Sequence, residues 1–166
     1  MRQLKVYFAS GWFTKEQKST YEEIRFLLFN ASHLKVFYPK DESASKQKDL
    51  DAESVRKDVY FGNLKAIRES DLVICSTEDK DPGSIFEAGY ATAQGIPIVY
   101  VNLHLPKGAA FNLMLAQSGI AAVTDYGSLA DLIMLIEECV KENHGFLTLK
   151  TINEIKSRFN NHQTVE

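Results

Sequence analysis

Glu87 is the residue whose type and setting could do chemistry in this chain. It sits in the stretch Asp81-Pro82-Gly83-Ser84-Ile85-Phe86-Glu87-Ala88-Gly89-Tyr90-Ala91-Thr92-Ala93-Gln94-Gly95. An apolar run, Leu72-Val73-Ile74-Cys75, precedes that stretch and another, Ile96 to Val101, follows it, so the segment reads as strand, loop, helix, strand. An open parallel sheet puts the loops and helix N-termini of such βαβ units at the carboxyl edge of its strands, where ligands bind. Glu87 is therefore expected in the first turn or so of a helix that begins at that edge. There the helix dipole favours the ionised carboxylate by about 0.3–1 kcal/mol, and Glu87 would be charged at neutral pH without a metal. A purely structural alternative is a capping box, with Ser84 as N-cap and Glu87 reaching back to it. The small residues Ala88, Gly89, Ala91 and Ala93 would let the helix lie close to its neighbours, which would justify the cost of about 1 kcal/mol that Gly89 imposes relative to alanine.

Other candidates for chemistry are fewer. Asn63 falls on the apolar stripe of a helix that carries Val55, Val59, Tyr60 and Ile67, and an amide facing the protein needs partners, either a loop carbonyl or a ligand. His33, His104, His144 and His162 are not at metal-ligand spacing and read as surface residues, and Cys75 and Cys139 belong to no C-x-x-C pattern. Neither a metal site nor a disulfide framework is expected. No G-x-G-x-x-G follows the first strand and no G-x-x-x-x-G-K-[ST] occurs, so the usual cradles for dinucleotides and triphosphates are missing and no cofactor is expected. The net charge of -3, without a dense Lys/Arg run, gives no reason to expect a nucleic-acid polymer or an anionic membrane as partner. The N-terminus enters a short strand rather than a signal peptide, and no apolar stretch approaches a membrane span, so a soluble, reducing, cytoplasmic setting is expected.

The elements that must position Glu87 follow in order. With 166 residues, 45% hydrophobic and 25% charged, the chain fits one domain, 1–166. Leu4 to Ala9 reads as the first strand, and Thr14 with Gln17 as the cap of a helix bearing Tyr21, Ile24, Leu27 and Leu28. Leu34 to Tyr38 resembles a second strand, stopped by Pro39. Lys40 to Asp51 is polar and aperiodic, an exposed loop, and a helix is expected from about Ala52 to Glu69. Beyond the βαβ unit come a loop from Leu103 to Gly108, a short helix or turn from Ala109 to Gln117, and a fifth strand at Ile120 to Val123. Ser128 caps a helix bearing Leu129, Leu132, Ile133, Ile136 and Val140. Gly145 then breaks the chain before a last amphipathic segment and a polar tail. The alternation predicts an α/β fold, a doubly wound, flavodoxin-like domain with five parallel strands and helices on both faces.

Three separated pieces, taken together, resemble the nucleoside 2-deoxyribosyltransferase family: Val6-Tyr7-Phe8-Ala9-Ser10-Gly11-Trp12-Phe13, then Asp81-x-Gly83-x-x-x-Glu87-x-Gly89-Tyr90-Ala91, then Asn112-Leu113-Met114. The resemblance covers most of the chain in the same order. It implies exchange of 2-deoxyribose between a deoxynucleoside and a free nucleobase, with Glu87 as the nucleophile that holds the sugar as a glycosyl ester and Tyr7 holding Glu87 by its hydroxyl. It further implies that Asp81 and Asn112 bind the 5′-hydroxyl, that Asn112 and Met114 come from a neighbouring subunit of a homo-oligomer, and that the Gly11-Trp12-Phe13 turn walls the base pocket. Read without the resemblance, Tyr7 is a strand-end aromatic, Asp81 a turn or helix-cap aspartate, Met114 a core residue, and Trp12 and Phe13 core as well. Asn63 departs from the family pattern, which carries an aspartate that handles the proton of the departing base. An amide cannot serve as a general acid. Two rival functions remain. One is a hydrolase of deoxynucleoside 5′-monophosphates, which Asp81 disfavours, since like charges 4 Å apart repel by about 1 kcal/mol even with water-like screening. The other is a non-catalytic nucleotide-derivative sensor, which would have no use for a nucleophile.

Overall fold

A computed structural model of the chain describes residues 2–46 and 52–159. Five strands, β1 (Leu4–Ala9), β2 (Leu34–Phe37), β3 (Leu72–Ser76), β4 (Ile98–Val101) and β5 (Ala121–Val123), form one sheet in the order β2-β1-β3-β4-β5, every pair parallel. This is the flavodoxin-like arrangement expected from the alternation of elements. Because successive side chains of a strand point to opposite faces, β1 feeds two cores. Leu4, Val6 and Phe8 pack under α1 (Lys15–Phe29) and α6 (Tyr126–Glu142), with α7 (Leu149–Phe159) beside them. Tyr7 and Ala9 face the other layer, where Ile67 of α3 (Glu53–Arg68), Ala88 and Ala91 of α4 (Pro82–Ala93) and Ala116 of α5 (Leu113–Ser118) close over the sheet. Alternation along one strand thus aims Tyr7 at the helix that carries Glu87.

Local chemistry sets most boundaries. Thr14 and Gln17 form the expected capping box of α1, and Gln94 ends α4 before Gly95, which adopts φ +70. Several expectations need correction. The stretch expected as a loop from Lys40 to Asp51 contains a helix, α2 (Pro39–Lys46), whose proline stands at the first helical position and whose first turn holds Asp41 and Glu42. The rest of that predicted loop, 47–51, lies outside the described residues. The cap of α6 is Asp125, whose Oδ1 accepts from Ser128 N at 2.8 Å, so Ser128 is held by the cap instead of being it. Gly89 is exposed, and a Cβ built there meets nothing within 4 Å, so close packing is carried by Ala88 and Ala91 alone. His33 is not a free surface residue, since its Nδ1 lies 2.6 Å from Glu137. No helix among the described residues is long and apolar enough to cross a membrane.

Candidate active site

Glu87 lies at the carboxyl edge of the sheet, as the βαβ reading required, but it caps nothing. The N-cap of α4 is Asp81, whose Oδ2 accepts from Ser84 N at 2.7 Å and from Ser84 Oγ at 2.8 Å, with Pro82 in the first turn. Counting from Pro82, Glu87 is the sixth residue of α4, in its second turn. Its partner is on the strand beneath α4: Tyr7 Oη donates to Glu87 Oε1 at 2.7 Å. Tyr7 itself is fully buried, and its ring stacks on Phe37 with centroids 5.5 Å apart. The capping-box alternative for Glu87 is therefore overturned, while the helix-cap alternative for Asp81 is realised.

The electrostatics also depart from expectation. Dipole stabilisation fades beyond the first turn, and burial dominates: desolvation pushes the Glu87 carboxyl up to about 7, against the opposing effect of the Tyr7 hydrogen bond and with a further push from the Asp81 charge. Glu87 is thus poised near neutrality instead of being fully charged there. Burial and the nearby Glu87 charge also drive the Tyr7 hydroxyl far above its ordinary range, so it stays a proton donor. The same burial pushes up Cys75, which packs beneath Ser84 as an inert thiol.

A cavity of about 300 Å3 opens on Glu87, at the small end of the range for ligand sites. It is lined by Glu87, Asp81, Asn63 and the turn Ser10-Gly11-Trp12-Phe13, together with Pro39, Pro82, Gly83 and Ser84. Trp12 and Phe13 are mutually tilted, with centroids 5.4 Å apart, and Phe13 is 69% exposed, so neither is a core residue. One chain therefore brings together Tyr7, Glu87, Asp81, Asn63, Gly11, Trp12 and Phe13. It does not bring Asn112 and Met114 with them. Asn112 caps α5, its Oδ1 accepting from Leu115 N at 3.2 Å, and lines a separate cavity of about 280 Å3 with Thr77, Lys80, Ile85 and Phe111. Met114 is 75% exposed, which overturns the reading of it as core. Sequence reasoning missed Ser10, Pro39, Pro82, Gly83 and Ser84 as lining residues. Ser10, Pro82, Gly83 and Ser84 stand within three residues of one that was identified, and adjacency was their only signal, while Pro39 had none. Among the described residues, no group of three or more His, Cys, Asp or Glu side chains could hold a metal ion.

Comparison with known proteins agrees with this architecture. The family model for nucleoside 2-deoxyribosyltransferase matches residues 6–121, a span that runs from β1 through the helix of Glu87 into β5. Among solved structures, the 2-deoxyribosyltransferase from the psychrotolerant bacterium Bacillus psychrosaccharolyticus is similar with a TM-score of 0.64 at 21% identity, over 89% of this chain and 95% of that one. A conserved protein from Enterococcus faecalis V583 gives a TM-score of 0.66 at 20% identity, over 80% of this chain and 98% of that one. No curated protein sequence matches the chain.

Proposed function

The chain belongs to the nucleoside 2-deoxyribosyltransferase family, and from that premise we propose that it exchanges the base of a 2-deoxynucleoside through a covalent deoxyribosyl ester on Glu87. The observation that carries this reading is the Tyr7 Oη–Glu87 Oε1 bond of 2.7 Å on a carboxylate that lines the 300 Å3 cavity. The hydroxyl pins one carboxylate oxygen, and among the described residues the other oxygen has no hydrogen-bond partner. A nucleophile needs that combination of fixed orientation and an uncommitted lone pair.

In the first step one oxygen of ionised Glu87 attacks the anomeric carbon from the face opposite the base. The C–N bond breaks, and its electron pair leaves with the base, which takes a proton from water. In the second, a ring nitrogen of the incoming base attacks the same carbon, the ester C–O bond breaks, and the nitrogen releases its proton to solvent. Two inversions retain the configuration, as in retaining glycosidases. Tyr7 orients the carboxylate and steadies its charge as the ester leaves. Asn63 offers its amide to the departing base as a hydrogen-bond donor only. Trp12 and Phe13 present aromatic faces on which a base stacks, and Asp81 receives the 5′-hydroxyl. Asn112 and Met114, exposed and turned away from their own chain's cavity, complete the cavity of a neighbour in a homo-oligomer.

A 5′-phosphate is disfavoured on the same grounds. The N–H of Ser84 at the start of α4, which would otherwise greet an anion, is already taken by the Asp81 carboxylate. The test is incubation with a 2-fluoro-2-deoxyribosyl nucleoside followed by peptide mass spectrometry, with an exchange assay on deoxyinosine plus adenine alongside deoxynucleoside monophosphate alone. A deoxyribosyl adduct on Glu87 together with base exchange supports the proposal. Exchange without an adduct removes the mechanism, and turnover of the monophosphate alone replaces the transferase with a hydrolase.

A further inference from the structure

A second carboxylate, Glu78, lies at the end of β3 and plays no part in the steps above. Its side chain is only 2% exposed, yet no lysine or arginine is paired with it among the described residues. Oε1 instead accepts from Thr20 Oγ1 on α1 at 2.9 Å, from Leu103 N at 2.5 Å and from His104 N at 3.1 Å, with His104 Nδ1 3.4 Å away. A buried carboxylate is expensive unless it is fully hydrogen-bonded, and such networks specify one arrangement of the elements they join.

Two of the connections joined here, those after β1 and β3, line the cavity. The carbonyl of Glu78 accepts from Gln17 Nε2 at 3.2 Å, and Gln17 Oε1 accepts from Phe13 N at 2.9 Å and Thr14 N at 3.3 Å. Gly11 is part of the same joint, because a Cβ there would lie 2.7 Å from Gln17 Cδ and Oε1. On the other side, Asp79 and Lys80 adopt φ of +51 and +52, a left-handed turn that is unfavourable for non-glycine residues. The hydroxyl of Thr14 binds Asp79, and the turn delivers Asp81 to its cap. The connections after β1, β3 and β4 thus meet at one residue, and two of them line the cavity.

We propose that Glu78 is the positioning residue of the aromatic wall: its carboxylate fixes its own backbone between α1 and the connection after β4, so that its main-chain carbonyl holds Gln17 and, through Gln17, the Gly11-Trp12-Phe13 turn, setting affinity for the base rather than the rate at which the sugar is transferred. The proposal rests on the transferase reading only for what the wall holds.

The chain contains a single tryptophan, Trp12, in the turn at issue, so its fluorescence reads the wall without any assay of activity. In the full chain, Glu78→Ala should raise acrylamide quenching of Trp12 about twofold and the KM for the acceptor base about tenfold, with kcat at saturation within about threefold of the parent. Glu78→Gln, which keeps an acceptor oxygen, should restore both quantities to within about threefold. Unchanged quenching in Glu78→Ala overturns the proposal, as does a fall in kcat at constant KM. If Glu78→Ala does not fold, Gln17→Leu cuts the joint between Glu78 and Phe13, and Trp12 quenching that stays at the parent's value there overturns the proposal equally. Absence of base exchange in the unaltered protein refutes the transferase reading alone, and Trp12 quenching then decides the role of Glu78.

Discussion

Glu78 and Glu87 stand at the two ends of the same loop-to-helix passage, and both are withdrawn from water, yet their surroundings differ in kind. Glu78 is on the α1 side, with a hydroxyl and two backbone N–H groups converging on one oxygen. Glu87 is on the α4 side, with one phenol and an open cavity. Every donor committed to a carboxylate lowers the energy of its charge and makes its lone pairs less available. The comparison teaches that burial alone does not make a carboxylate reactive. Burial with a single donor beside an open cavity does, because it leaves the charge expensive and the carboxylate within reach of a ligand. That is why burial pushes Glu87 up to about 7.

The largest way to break the comparison is Glu87→Gln. It keeps an acceptor for Tyr7 but cannot form the ester, so exchange should fall by roughly four orders of magnitude, as when a catalytic nucleophile is removed. The same variant tests whether the charge is costly. A carboxyl whose folded pKa is raised from 4.5 to about 7 favours the folded state below 4.5, and that contribution disappears as pH rises through 7. The wild type should therefore lose about 3 kcal/mol across that window while Glu87→Gln does not. In thermal melts the variant should match the wild type at pH 4 and exceed it at pH 8, and equal melting temperatures at pH 8 would contradict a desolvated Glu87.

Next in size is Tyr7→Phe, which removes the only protein donor to Glu87 found among the described residues. Loss of one preorganised donor costs about 100-fold in kcat, with a smaller change in KM, and the variant should remain folded because the ring still stacks on Phe37. Without the hydrogen bond that opposes burial, the acid limb of the pH–rate profile should also move upward. In the unaltered protein that limb should bend near pH 7 and fall about tenfold for each unit below it. A limb bending near 4.5 would mean that Glu87 is solvated in the assembled protein.

The contrast between the two carboxylates was half legible in the sequence. Strand and helix alternation gave the sheet, and the Thr14 and Gln17 spacing gave the cap of α1. Glu87 was found because a βαβ unit places its loop at the ligand edge. Its setting was misjudged because Ser84-x-x-Glu87 matches a capping box by spacing, while the stronger cap, Asp81 followed by proline, stood three residues earlier. The helix α2 was hidden because it is short and polar, although Pro39 followed by Asp41 and Glu42 is an N-terminal signature. Glu78 was not legible at all. Its donors come from α1 and from the connection after β4, 58 and 25 residues away in sequence, and no local pattern reports a tertiary hydrogen bond.

The smallest effect, and the one that sharpens the comparison furthest, is Asn63→Asp. Asn63 lines the cavity with Glu87 and Asp81, so a carboxyl there does two things of opposite sign. Protonated, it supplies the acid that the departing base otherwise draws from water, which should raise exchange several-fold, well under the 10²–10⁴ range of a fully positioned acid. Ionised, it adds a like charge to a site already pushed up by burial and by Asp81, so the acid limb governed by Glu87 should move to higher pH. The two effects separate in a pH series with one donor and one acceptor: a higher plateau together with a right-shifted acid limb. A shift without a higher plateau would show that base departure is not limited by its proton, and that Asn63 contributes through its hydrogen bond alone.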